Sequence, residues 1–463
     1  MTSATSSIDC DVLIVGGGNA GFCAAVSASQ TGAQDVLLID TCPEEWAGGN
    51  SYFTAGAMRT AHSGLRDILP LVNNVDAETA KLIDLVPYTQ GDFLADMERI
   101  THGKYDRELG RTLAEESTSA IQWLASNGVR FQLPFNRQAY KVNGRYKFWG
   151  GLYLKTEDGG RGLVQDHQKA AVKHGVKVLH QTGAEKINLD PETGAFKSLL
   201  VDMQGKKLTI NATSVVLAAG GFESNPRMRA TYLGPGWDLA HKSGNREISN
   251  EYTKSGYPFG VTINIQGNRF FDEGSDIRNY TYAKFGRAIL AQPQGVAFQV
   301  WDSQTVGWLR DEEYRDEIVE KIHGISIEEL AQKCANKGLE NPTAFVQTLN
   351  SYNEAVYNHR AENNSELKPR TLHGDQGGLW CYFTFGGLAV DPQTSGVTSS
   401  LTGKVVPGVF CAGEMLGGLF YENYPGGSGL TSGAVFGRQA GIQAAAMARK
   451  SIRPSHDGVA SRL

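Results

Sequence analysis

The sequence predicts an α/β fold built on a Rossmann-like nucleotide frame. Three observations carry that expectation. The apolar run Val12-Leu13-Ile14-Val15 leads into Gly16-Gly17-Gly18-Asn19-Ala20-Gly21, a G-x-G-x-x-G turn. A second run, Val36-Leu37-Leu38-Ile39, ends at Asp40, about 20 residues past the turn, where a ribose-binding acid belongs. Two later runs, Val215 to Leu217 before Ala218-Ala219-Gly220-Gly221 and Val409 to Cys411 before Ala412-Gly413-Glu414, end in small residues as strands of such a sheet do.

Each element has a physical reason. Short continuous apolar runs suit parallel strands covered on both faces. Ala24, Ala25 and Ala28 give the first helix a small face for close packing. Glycines in the turn admit a pyrophosphate against the backbone, and the helix N-terminus supplies N–H donors and positive potential. A dinucleotide is therefore expected, with Asp40 accepting from ribose hydroxyls.

Composition bounds the rest. A chain of 463 residues favours two or three domains. With 55 glycines against 15 prolines and no collagen-like period, the glycine excess points to tight turns and close ligand approach. A net charge of −5 gives no support for nucleic-acid binding. Six cysteines without CxxC spacing imply neither zinc, an iron–sulfur cluster nor a disulfide framework, and fit a reducing compartment. The start, MTSATSSIDCD, lacks the apolar core of a signal peptide, and no run suits a membrane span. Ser461-Arg462-Leu463 resembles a peroxisomal address, so the expected location is cytoplasmic, or peroxisomal in a eukaryote.

The choice between NAD and FAD turns on the later segments. The fingerprint occurs once, whereas Gly48-Gly49-Asn50-Ser51, the strand before Gly220 and the strand before Glu414 all read as returns to one extended ligand. FAD is long enough for that. At these residues the chain resembles the flavoprotein family of fumarate reductase and succinate dehydrogenase. Its GGNS, RFFDEGSDIRNYTYAKFGRAILAQP and GGLFYENYPGGSGLTSGAVFGRQAG stretches resemble the FAD-dependent tricarballylate dehydrogenase group within it.

The resemblance implies a Rossmann-like FAD-binding domain with an inserted α+β cap (substrate) domain. The expected boundaries are 1–236 and 375–450 for the FAD domain, 237–374 for the cap and 451–463 for a loose tail. It implies that Gly16, Gly18, Asn19 and Ala20 meet the pyrophosphate and that Gly48, Gly49, Asn50 and Ser51 line the FAD path. Thr54 to Ala57, including Gly56, would run beside the flavin's reactive edge. Ala184 would flank the adenine, Ala219 and Gly220 would close the strand end, and Glu414 would hold ribityl or ribose hydroxyls. Asparagine and serine stand where succinate dehydrogenase carries its flavin-linked histidine, so noncovalent FAD is expected. The join between YLGPGWDLA and YPFG is shorter than in family members by roughly one supersecondary unit.

The stretch ENYPGGSGL at 422–430 fits the same picture. A helix is expected from Leu430, with Ala434, Val435, Phe436, Ala440 and Ile442 on its buried face. The preceding turn, with Ser428, Gly429 and Leu430, offers N–H groups to the flavin's pyrimidine edge, and the positive helix end favours the anionic reduced flavin. Tyr424 stands where fumarate reductases carry a carboxylate-clamping arginine. Phe383-Thr384-Phe385 replaces their histidine, and their proton-donating arginine has no clear match. Tyr424 is read as an electrophilic or proton-handling group, with a packing aromatic as the alternative.

A second constellation, Arg269, Asp272, Glu273, Arg278, Tyr280, Tyr282, Lys284 and Arg287, suits carboxylate binding and proton transfer, or a salt-bridged surface. Arg278, Arg287 and Glu273 are its candidate catalytic members. Arg59 and His62 form a third candidate pair, with His62 as a base or a satisfied structural histidine. The expected activity is an FAD-dependent dehydrogenase that introduces a C–C double bond beside a carboxylate or carbonyl, handing electrons to an unidentified acceptor. The alternatives are a fumarate-reductase-type enzyme working in reverse, and a shortened, inactive flavin-binding form.

Overall fold

The computed structural model describes residues 7–148, 151–234, 237–239, 246, 256–276, 278–317, 319–362 and 384–452. The chain divides into two compact units, Met1–Phe222 with Phe383–Leu463, and Glu223–Tyr382. Most of the short join at 237–257, the residues around Cys381, and the Ser461-Arg462-Leu463 tail lie outside the described residues.

The first unit begins with β1 (Ser7–Val15), α1 (Asn19–Gln30) and β2 (Val36–Ile39). It continues through α2 (Gln90–Ile100), α3 (Arg107–Ser126), α4 (Gly159–Lys173), β3 (Lys177–Leu179), β4 (Thr182–Leu189), β5 (Phe196–Met203) and β6 (Lys206–Leu217). The second unit contains β7 (Val261–Asn264), α5 (Arg278–Leu290), β8 (Ala297–Val300), α6 (Ile327–Ala335) and α7 (Pro342–Glu362). The chain then returns to the first unit with β9 (Gly396–Thr398), β10 (Val405–Cys411) and α8 (Ser428–Ile452).

Among the described residues the main sheet has eight strands. β1 is central and parallel to both β2 and β6, with Val12 opposite Val36 and Ser214. β3 extends the parallel edge beyond β2, while β4 and β5 form an antiparallel flap on the early half of β6. The late half of β6 instead pairs in parallel with β10. The two faces of β1 feed different cores. Val12 and Ile14 pack with α1 and α8, whereas Leu13 and Val15 pack with Phe196, Leu199 and Ile210 of the flap. Both faces are covered, so the strand reads as a continuous apolar run.

A glycine stripe spaced four apart on α8 brings that helix against α1. A Cβ on Gly433, Gly437 or Gly441 would lie 2.6 Å from Asn19 Nδ2, 2.5 Å from the Ala20 carbonyl oxygen or 2.1 Å from the Ala24 carbonyl oxygen. The helix starts at Ser428, two residues before the expected Leu430, because the Ser428 N–H and hydroxyl both bond the Pro425 carbonyl and close the turn there. The expected burial of Ile442 is also corrected. It is 36% exposed, because one residue past Gly441 lies about 100° off the packed stripe.

In the second unit, antiparallel β7 and β8 pack on α6 and α7 through Val261, Ile263, Cys334, Phe345 and Leu349. A smaller cluster stacks Phe271 on Phe285 at 4.2 Å. Cys23, Cys334 and Cys411 are buried in apolar cores. No helix among the described residues is long and apolar enough to cross a membrane.

Candidate functional site

Asn19 is where the separate pieces of the nucleotide frame meet. It opens α1 and is 4% exposed. Its backbone N–H donates to Ser51 Oγ at 3.0 Å, which draws the 48–51 turn over the glycine loop. Its side-chain Nδ2 donates to the Leu430 carbonyl at 2.8 Å, which ties α1 to the first turn of α8. Its Oδ1 accepts from His167 Nε2 of α4 at 2.9 Å. His167 is stacked on Phe22 at 5.6 Å, and burial pushes its pKa down to about 4, so it is a neutral donor.

The remaining nucleotide residues surround this point. Asp40 is fixed by the Gly17 N–H at 2.6 Å on one oxygen and the Cys42 N–H at 2.9 Å on the other. Gly16 has a φ of +109°, and a Cβ there would strike the Ala218 carbonyl oxygen at 2.4 Å, so the first turn presses on the end of β6. Gly413 similarly abuts Ala20, and Glu414 accepts from the N–H and hydroxyl of Thr384. Thr54 and Gly56 are clamped by Gly160 and Thr156, whose N–H groups donate to their carbonyls at 2.9 Å. Asn50 lies in the short turn at 49–53. Ala184 is exposed on β4, next to Gly183, whose Cβ position lies 3.4 Å from Thr41 Oγ1.

Some glycines are packed and others open, as a cofactor cradle requires. A Cβ on Gly220 would meet nothing within 4 Å, and one on Gly18 nothing nearer than 3.7 Å. Two helix N-termini, of α1 and α8, are joined through Asn19, and an acid ends β2. These residues fit FAD: glycine backbone for phosphates, Asp40 and Glu414 for hydroxyls, and the Gly426–Leu430 turn for the ring's pyrimidine end.

The C-terminal turn rests on a buried arginine. Arg59 is fully buried, and its Nε donates to the Gly426 carbonyl at 3.0 Å. Its backbone N–H donates to the Gly427 carbonyl at 3.2 Å, and its carbonyl accepts from Thr431 Oγ1 at 2.7 Å. Its charge is matched by Asp96 of α2 at 3.0 Å, with the Tyr88 hydroxyl bonded to both partners at 2.7 Å. Arg59 was legible as a candidate. Asp96 and Tyr88 were not, because nothing local to them marks a partner so far along the chain. The same holds for His167, 148 positions from Asn19.

Tyr424 is buried, with its ring 5.7 Å from Phe420 and 6.2 Å from Phe385. His62 is 6% exposed and meets Tyr153 edge-on at 4.8 Å. Burial pushes its pKa down to about 4, against the opposing charge of Asp67. Its Nδ1 accepts from the Gly64 N–H at 3.1 Å, so the neutral ring carries its proton on Nε2, which has no hydrogen-bond partner among the described residues. As placed, His62 is a donor, not a base.

The 269–287 constellation belongs to the second unit. Glu273 is 4% exposed and is gripped by Arg269, through Nε at 2.8 Å and through Nη2, while its other oxygen takes the Thr262 N–H at 2.6 Å. Burial raises its pKa even though Arg269 opposes the shift. Arg269 also lies over the Tyr352 ring at 5.4 Å and near Asp272 at 3.5 Å. This half of the constellation is an internal ion pair that fastens β7. Arg287 on α5 is half-buried and makes no ion pair among the described residues, and Lys284 is exposed. Arg278 opens α5, but its side chain, like that of Tyr282, lies outside the described residues.

The chain matches the FAD binding domain family over residues 11–242 and 239–430. The two matched stretches meet in the join that is short in the sequence. Over 94% of its length the chain is 26% identical to a probable fumarate reductase, Ifc3, of Shewanella frigidimarina (strain NCIMB 400), of which it covers 74%. Over 95% of its length it is 25% identical to an NADH:fumarate oxidoreductase of Klebsiella pneumoniae (strain 342), of which it covers 48%. Its fold is similar to the open conformation of a flavocytochrome c3 fumarate reductase, with a TM-score of 0.67 and 24% identity over 96% of this chain and 79% of that one.

Proposed function

We propose a reaction for this chain, which belongs to the FAD binding domain family and is an FAD-dependent oxidoreductase acting on CH–CH groups: it reduces a C=C bond conjugated to a carboxylate or carbonyl, with FAD held noncovalently. The relatives above are named for fumarate, which favours reduction over the tricarballylate-type desaturation that the sequence stretches suggest.

The observation that carries the reading is the Tyr424–Leu430 turn at the N-terminus of α8, a positive helix end beside a buried phenol. FAD, when bound and reduced by an external electron donor, would supply the hydride for one carbon of the double bond. The chain supplies the proton for the neighbouring carbon and holds the activating group. Reduction calls for an acid, and a phenol of ordinary acidity, pKa ~10, keeps its proton at neutral pH. Desaturation would need the same group as a base, with its pKa lowered first. Tyr424 is therefore the proposed donor to the substrate oxygen or carbon.

Phe385 and Phe420 beside Tyr424 favour a second reading of the substrate, a larger enone in place of a small diacid. The test is anaerobic. Dithionite-reduced, FAD-loaded protein is mixed with fumarate, other unsaturated acids and cyclic enones while the yellow band is followed. Reoxidation by an acid or an enone identifies the class, and Tyr424→Phe should slow it at least about tenfold. Bleaching of the oxidised protein by saturated acids, without reoxidation by their unsaturated partners, would establish the dehydrogenase. Inertness in both directions with FAD firmly bound would establish the inactive flavin-binding form.

A further inference from the structure

We propose that Arg59 is a positioning residue that sets the reduction potential of the bound flavin, acting through the Gly426–Gly427 peptides, with Asp96 as its counterweight. The inference rests on the flavin's pyrimidine end lying at the 426–430 turn. It does not depend on which substrate is reduced.

Arg59 is among the largest fully buried side chains of the described residues. Burying a guanidinium costs several kcal/mol, and an apolar side chain of similar size is often as stable or more so in such a place. A packing role alone does not call for arginine. Each tie that Arg59 makes to the turn captures a carbonyl: its Nε takes that of Gly426 and its backbone N–H that of Gly427. In a trans peptide the N–H points opposite to the C=O. The Gly427 N–H that follows the Gly426 carbonyl is therefore turned away from Arg59, whereas the Ser428 N–H that follows the Gly427 carbonyl is held by the Pro425 carbonyl within the turn. Without the arginine, a free carbonyl could swing toward the ligand with its negative end.

The charge balance points the same way. Asp96 gives one oxygen to Arg59 at 3.0 Å and the other to the half-exposed Arg99 at 3.5 Å. Arg59 thus shares its carboxylate with a second guanidinium. The surroundings are shaped to this side chain. Gly151 has a φ of +69°, and a Cβ there would fall 2.4 Å from Arg59 Nη1. Charge near the pyrimidine end is a recognised lever on flavin electronics. A positive charge there favours the reduced anion and raises the potential.

The test reads the flavin directly. FAD-loaded wild type, Arg59→Met, Arg59→Lys and Asp96→Asn are titrated with sulfite, whose uptake by oxidised flavin places negative charge on the pyrimidine end, and their midpoint potentials are measured by dye equilibration. Arg59→Met should weaken sulfite binding at least tenfold and lower the potential. Asp96→Asn should tighten sulfite binding at least threefold and raise the potential, and Arg59→Lys should fall between wild type and Arg59→Met. A loosened turn would shift all three variants in one direction, and that result, or unchanged sulfite affinity, overturns the proposal. If Arg59→Met does not fold, Asp96→Asn decides: a raised potential supports the assignment, and an unchanged or lowered one removes it. Because no substrate enters these titrations, their failure is separate from any failure of the C=C reductase reading.

Discussion

Asn19 Nδ2 donates to the Leu430 carbonyl at 2.8 Å, joining residues 411 positions apart and locking the first turn of α1 to the first turn of α8. The pyrophosphate and the ring of FAD would need two fixed anchors, and this bond ties together the two helix N-termini that would supply them. Asn19→Ala removes it and leaves the Leu430 carbonyl and His167 Nε2 without their partner. Each stranded buried group costs about 1–3 kcal/mol. The expected outcome is a loss of about 3 kcal/mol in urea unfolding and a Kd for FAD about tenfold higher by fluorescence titration.

The glycine stripe on α8 makes a second prediction. The Cβ of Gly437→Ala would sit 2.5 Å from a backbone oxygen of α1, so the helices must part. The expected cost is about 1–3 kcal/mol. Gly307→Ala is the control, because nothing lies within 4 Å of its Cβ position. It should be neutral or gain up to about 1 kcal/mol from the stiffer unfolded chain. Parallel urea melts compare the two.

His167 gives a pH signature. Its pKa is about 4 in the folded protein and about 6.5 when unfolded. Between those values the unfolded chain binds more protons, so stability is full above pH ~6.5 and falls as pH drops toward 4. The shift corresponds to ~3 kcal/mol at most, and His62 contributes in the same direction. His167→Gln should flatten the slope of unfolding free energy between pH 6.5 and 4. A slope identical to wild type would contradict the assignment of His167 as a buried neutral donor.

In the second unit, Arg269→Met would leave the Glu273 carboxylate buried without its cation. A loss of about 3–5 kcal/mol is expected by thermal or urea unfolding, and the double variant with Glu273→Gln should recover most of it. The single variant also has a pH sign. An unpaired buried carboxyl has a raised folded pKa, so the folded state holds the extra proton and stability falls as pH rises. Arg269→Met should therefore be more stable at pH 5 than at pH 8.

Local pattern made the nucleotide frame legible. The apolar runs became β1, β2, β6 and β10, and the glycine turn opens α1, because strand burial and turn geometry are written in neighbouring residues. Leu330, Cys334, Phe345, Leu349 and Tyr352 likewise stand on α6 and α7 and pack in one cluster. Local pattern failed at Ile442, where apolar character alone suggested burial, and the stripe of close approach at Gly433, Gly437 and Gly441 turns that residue outward.

The candidate site divided along the same line. The residue order alone is enough to place a glycine turn between β1 and α1 and an acid at the end of β2, since both depend on residues within a few positions of each other. Only the tertiary structure decided that Arg59 is held by Asp96 and Tyr88, that Glu273 is spent on Arg269, and that His62 is a neutral donor. A charged residue looks the same in a sequence whether it faces a ligand or a buried partner. What it does is set by which donor and acceptor the chain brings together out of water, and those pairs form across tens to hundreds of residues.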